Sequence, residues 1–108
     1  MKTFADILAA LESADYLTNI ELRNSDGSLV AIIENKPGSQ GSLRLYHQLW
    51  KKYGAIGRQA AMEGLELYAE HTADARANPG KHPNIDRLFD VIESDGRLEV
   101  RCQPSRLP

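Results

Sequence analysis

Three histidines, one cysteine and a few clusters of charge are the residues of this chain whose types could do chemistry. His71 and Asp74 stand three apart, which puts both on one face of a helix, with His82 and Asp86 just beyond an Asn78-Pro79-Gly80 turn. Imidazoles and carboxylates together suit a divalent metal that keeps open positions, so His71, Asp74, His82 and Asp86 are a candidate metal set. Their spacing matches no recognised zinc motif. The plainer uses are packing for His71 and service to a helix dipole for Asp86. Beyond that metal no cofactor is expected.

Arg76, Lys81, His82 and Asn84 are a candidate anion site. Asn84 reads as the opening residue of a helix, whose first amides lack partners and attract phosphate or carboxylate. The plainer alternative is that Asn84 caps those amides itself and Lys81 is solvated. A third cluster spans 44–58, where Arg44, Lys51, Lys52 and Arg58 interleave with Tyr46, Trp50 and Tyr53. Cations among aromatics suit single-stranded nucleic acid. The following helix is acidic, however, and would repel phosphate, so nucleic acid ranks third among the readings. Cys102 falls on the apolar side of an alternating strand and reads as a packed thiol. No catalytic residue is assigned, since no Ser/His/Asp arrangement is identifiable.

The elements that must position these groups are legible from periodicity. The longest helical pattern runs from Gly57 to Asn78 and is apolar on two sides. Ala61, Met62, Leu65, Tyr68, Ala69 and Thr72 form one row, and Ala60, Gly64, Leu67 and His71 a second. Glu63, Glu66, Glu70 and Asp74 form an acidic ridge between them. One side can pack on a sheet; the other needs a second helix or a second copy of the protein. Trp50, Tyr53, Ala60, Gly64, Leu67 and His71 are therefore a candidate interface.

Along the rest of the chain, Thr3 and Asp6 suggest a capping box opening a helix that ends near Ala14. Tyr16 to Arg23 alternates as a strand with Thr18, Ile20 and Leu22 on one side. Asn24-Ser25-Asp26-Gly27 is a hairpin turn, and Ser28 to Glu34 returns as a strand apolar on both faces, hence central or covered on both sides. Asn35 to Ser42 reads as a glycine-bearing connector without a phosphate-loop motif. Residues 43–53 fit a helix capped by Ser42, or a strand. Asn84 opens an amphipathic helix bearing Ile85, Leu88, Phe89 and Ile92, and Arg97 to Gln103 closes the chain as a strand.

Composition bounds the class. At 108 residues, 42% hydrophobic and 26% charged, one globular domain over 1–103 with a tail at 104–108 is expected. A net charge of −2 gives no general pull toward nucleic acid or anionic membrane. One cysteine excludes an intrachain disulfide. No leader-like stretch and no run of about 18 apolar residues is present, so a cytoplasmic protein without membrane contact is expected.

The run from Gly64 to Thr72, followed by Asn78-Pro79-Gly80-Lys81-His82-Pro83-Asn84-Ile85-Asp86, resembles the signature of a family of small bacterial proteins of unknown function. The resemblance covers residues 64–86 and implies no activity, cofactor or catalytic residue. The expected fold is α+β. A mostly antiparallel sheet of three or four strands carries helices mainly on one face, in the order α-β-β-(α or β)-α-α-β. The expected role is a non-enzymatic binding module forming a homodimer through the 57–78 helix. A metal- or anion-binding protein or enzyme using residues 70–86 is the alternative.

Overall fold

Asn24 to Ser28 turn the chain back on itself and set up the sheet. The Gly27 amide donates to Asn24 O (2.9 Å), Asn24 N donates to Ser28 O (2.9 Å), and Gly27 takes the positive φ (91°) that the turn requires. In the computed structural model, which describes residues 2–105, this hairpin joins β1 (Leu17–Arg23) to β2 (Leu29–Glu34). The last strand, β3 (Glu99–Pro104), pairs antiparallel with the other side of β1, giving the order β2-β1-β3. Among the described residues five helices accompany the sheet: α1 (Phe4–Ala10), α2 (Gln40–Tyr53), α3 (Arg58–Leu67), α4 (Glu70–Ala77) and α5 (Pro83–Ser94). The fold is α+β, and the ambiguous 43–53 stretch is helical.

One face of the sheet builds the core. Ile20, Leu22 and Ile33 are fully buried with Leu43, Leu45 and Leu49 of α2, and with Leu88 of α5. Helix α3 packs against both α2 and α5. Among the described residues no helix is long and apolar enough to cross a membrane. Pro104 lies within β3 and Ser105 N donates to Tyr16 O (2.7 Å), so pairing continues past residue 103. The remainder of the expected tail, 106–108, lies outside the described residues.

Four local expectations are corrected. The 57–78 helix is two helices, because Ala69 adopts φ 55°, ψ −120° and breaks it after Tyr68. Strand β2 is at the edge, not the centre, and Leu29, Val30 and Ile32 are 49%, 41% and 50% exposed. Thr18 is exposed while Leu17 is buried, since the β1–β3 register shifts between Leu17 and Asn19 and reverses the alternation there. Helix α1 stops at Ala10, with Leu11 already extended. Two helix starts also move. Helix α2 begins after Ser39 rather than Ser42, and α5 after His82 rather than Asn84, with Pro83 in the first turn where a missing amide costs nothing.

Candidate functional site

The largest apolar side chain near the N-terminus, Phe4, owes its position to the Thr3–Asp6 capping box, in which Asp6 N donates to Thr3 Oγ1 (3.2 Å) and Thr3 N to Asp6 Oδ2 (3.1 Å). Phe4 N then donates to Glu70 Oε1 (2.7 Å), which ties α1 to the start of α4 and holds the Glu70 carboxyl below its ordinary range. The Phe4 ring stacks on Tyr68 (centroids 5.3 Å, 27°) and meets His71 edge-on (5.2 Å, 84°). A Cβ at Gly41 would lie 3.2 Å from Leu8 and 3.4 Å from Phe4, so glycine is what lets α1 press onto α2 here. Tyr68 is buried and its hydroxyl donates to Ser42 Oγ (2.8 Å); burial pushes the phenol far up, so it stays protonated.

Between these aromatics and the segment entering α5 lies a cavity of about 410 Å³, lined among others by Phe4, Ser42, Tyr68, His71, Lys81 and His82. The α3–α4 break is what turns His71 toward it. The two imidazole rings stand 5.7 Å apart. Asp74 organises the charged side: His82 Nε2 lies 2.6 Å and Lys81 Nζ 3.1 Å from its Oδ2, and Asn78 Nδ2 donates to its Oδ1 (3.1 Å). The bond from His82, then that from Lys81, holds the Asp74 carboxyl below its ordinary range. An ionised carboxylate only accepts, so His82 carries its proton on Nε2.

The candidate anion residues thus separate. Lys81, His82 and Asn84 line the cavity with His71, whereas Arg76 sits elsewhere, its guanidinium 5.1 Å over the Phe89 ring. Asn84 does not cap α5; its side chain accepts from Arg87 and its carbonyl from the Tyr46 hydroxyl (2.5 Å). Most of the first amides of α5 are engaged: Pro83 has none, those of Ile85 and Asp86 donate to His82 O (3.0 and 2.9 Å), and only that of Asn84 has no partner among the described residues. Charge preference at that end comes from side chains, the Asn84 amide and the helix dipole.

The metal candidates gather only in part. His71, Asp74 and His82 are neighbours, but Asp86 turns away to accept from Gly80 N (3.0 Å). Among the described residues no group of three or more His, Cys, Asp or Glu is arranged to hold a metal ion.

The candidate interface lies largely inside the fold. Ala60 and Gly64 are buried, and a Cβ at Gly64 would be 2.7 Å from Leu88 Cδ1 and 3.0 Å from Leu49 Cδ1. The second side of the central helix is therefore covered by α5 and α2 of the same chain. Leu67 packs half-buried on the core, Trp50 lies beside His47 (5.8 Å), and the Tyr53 hydroxyl donates to Glu63 (2.9 Å).

The basic block is engaged within the chain as well. Arg44 donates to Leu8 O and Leu11 O (2.7 and 2.8 Å), capping the end of α1. Lys51 pairs with Glu12, Lys52 with Glu63 (2.6 Å), and Arg58 donates to Ile92 O (3.1 Å). Tyr46, which that reading needs exposed, is fully buried. Cys102 lies on the core side of β3, and burial raises its thiol above the ordinary range.

No motif in the sequence marks Phe4, Ser42 and Tyr68 as cavity walls. The available signal was Gly41, a helix-breaking residue that falls inside a helix. The resemblance read from residues 64–86 extends over nearly the whole chain. A family model for an uncharacterized protein conserved in bacteria (DUF2322) matches residues 4–102, and the chain belongs to that family. No curated protein and no solved structure matches it.

Proposed function

We infer that this protein is a small binding module for an organic anion, taken into the cavity between Phe4 and the start of α5. The observation that carries the reading is the convergence of Lys81, His71 and His82 with the Phe4–Tyr68 stack on one concavity of about 410 Å³. That volume falls within the range of roughly 300–1,000 Å³ typical of small-molecule sites. The positive end of the α5 dipole faces the same space and favours negative charge. Asp74 holds Lys81 and His82 in place while offsetting part of their charge, which suits a monoanion or a phosphate monoester better than a polyphosphate. The aromatic wall asks for a flat or apolar body attached to the charged group. A cytoplasmic location belongs to the same reading.

Thermal shift and calorimetry with phenyl phosphate, benzoate and inorganic phosphate test it. Phenyl phosphate and benzoate should bind more tightly than inorganic phosphate. A ligand at ten times its Kd should add about 1.4 kcal/mol, hence about 5–10 °C. Lys81→Ala should abolish the shift, Phe4→Ala should erase the preference for an aromatic body, and Arg76→Ala should change neither. If none of the three probes shifts the wild type at about 10 mM, where even a millimolar Kd would register, the reading fails.

A further inference from the structure

The open edge of β2 lacks most of the devices that normally protect one, a bulge opposite Arg23 apart. It is six residues long, contains no proline, and carries a single charge, Glu34. Leu29, Val30 and Ile32 are all at least two-fifths exposed. The opposite edge strand differs, since β3 carries Glu99, Arg101 and Pro104. Asn35 N donates to Thr18 O (3.0 Å), which fixes the alternation as far as the bulge opposite Arg23: Ala31 and Ile33 turn their backbone groups toward β1, and Val30 and Ile32 turn theirs outward, while the Glu34 carbonyl accepts from Ser39 Oγ (2.6 Å).

We propose that β2 pairs antiparallel with β2 of a second copy, about a dyad at Ala31, to make one continuous six-stranded sheet. The register follows from the sequence of the strand. A two-fold axis normal to the sheet keeps each side chain on its own face, so only alternate registers are available. With Ala31 opposite Ala31, Val30 meets Ile32 and Leu29 meets Ile33. Glu34 then falls beside the small Ser28, at the end of the other copy's hairpin turn. Shifting the dyad to Val30 sets Glu34 against Asp26. Shifting it to Ile32 sets Glu34 against Val30. Only the Ala31 register matches apolar residues with apolar ones while keeping Glu34 away from both the Asp26 turn and Val30. A second copy is the occupant that this self-complementarity selects. Val30 and Ile32, exposed on the open face of the sheet within the chain, then pack across the seam against Ile32 and Val30 of the other copy.

Sedimentation velocity and disulfide trapping test the proposal on the full chain. Wild type should be dimeric toward the upper end of a series from about 10 to 500 µM, as suits a ladder at the small end of stable interfaces. Ile32→Pro removes an outward amide and leaves the β1 ladder intact, so it should be monomeric with unchanged far-UV circular dichroism. In a Cys102→Ser background, Ala31→Cys should cross-link with itself, since facing residues of a non-hydrogen-bonded pair have Cα atoms about 4.5 Å apart. Self-linking of Val30→Cys or Ile32→Cys in place of Ala31→Cys would overturn the register. A wild type monomeric throughout, or a dimer that survives Ile32→Pro with the fold intact, would overturn the proposal.

Discussion

Ala69→Gly should stabilise this protein, although alanine is the best helix former and the position lies inside a run that reads as helix. Helix α3 ends at Leu67, and the chain at Ala69 has φ 55°, ψ −120°. With His71 N donating to Tyr68 O (3.1 Å), this is the geometry of a type II′ turn, whose first central position favours glycine. Its neighbours hold the turn in place. Ala69 N moves to Glu66 O (3.1 Å), and the Leu65 carbonyl it abandons accepts instead from Thr72 Oγ1 (2.5 Å). Tyr68, immediately before the turn, is pinned between Phe4 and Ser42. A residue with a Cβ in such a conformation stores about 1–3 kcal/mol. Glycine removes that strain and gives back about 0.4–1 kcal/mol through a freer unfolded chain. The net gain is about 0.5–2 kcal/mol, or about 2–10 °C in Tm for a domain of this size. Urea and thermal denaturation followed by circular dichroism measure it, with Ala73→Gly, on the exposed side of α4, as the helical control expected to lose about 1 kcal/mol. If Ala69→Gly loses stability as the control does, residue 69 is helical in solution. The α3–α4 break, and the orientation of His71 that depends on it, would then be wrong.

Gly64→Val should destabilise by about 1–3 kcal/mol through overpacking, and Leu88→Ala in the same chain should recover part of that loss, because the new side chain would enter the space of Leu88 Cδ1. Thr72→Val should cost about 1 kcal/mol in urea denaturation by leaving the Leu65 carbonyl without the hydroxyl it accepts from. Burial, then Lys51, hold the His47 imidazole below its ordinary range, with Glu12 pulling weakly the other way. The unfolded chain therefore takes up this proton first as pH falls, so the stabilisation is present above about pH 6.5 and is lost as pH drops through that value toward the native pKa. His47→Gln should flatten the stability profile between about pH 7.5 and 5, and a native His47 titrating at or above the ordinary imidazole value by NMR would refute the assignment.

Features set by contacts within a few residues were legible in the sequence, and features set by distant ones were not. The Thr3–Asp6 capping box, the Asn24–Gly27 hairpin and the buried stripe of α5 each rest on neighbours in the chain, and each is present. The break at Ala69 has no such local cause. Nothing about alanine signals it, and the residues that enforce it include Ser42 and Phe4, more than twenty residues away. The cavity divides the same way. Lys81, His82 and Asn84 could be picked out as one stretch, whereas its aromatic wall needs α1 folded back over α4, a contact no periodicity encodes.

Gly64 and strand β2 show what pattern alone leaves open. Gly64 lies on a row of small residues that asks for a close neighbour, and the row is the same whether that neighbour is α5 or another molecule. Val30 and Ile32 make β2 apolar on its outward face, which describes a covered strand without saying what covers it. The first demand is met within the chain by Leu88 and Leu49. The second is not, because the core lies on the opposite face of the sheet, where Ile33 is buried. Self-association, expected through the helix, is proposed instead at the sheet edge. There the unmet demand is backbone hydrogen bonding, which a second β2 supplies, with Val30 and Ile32 meeting across the seam.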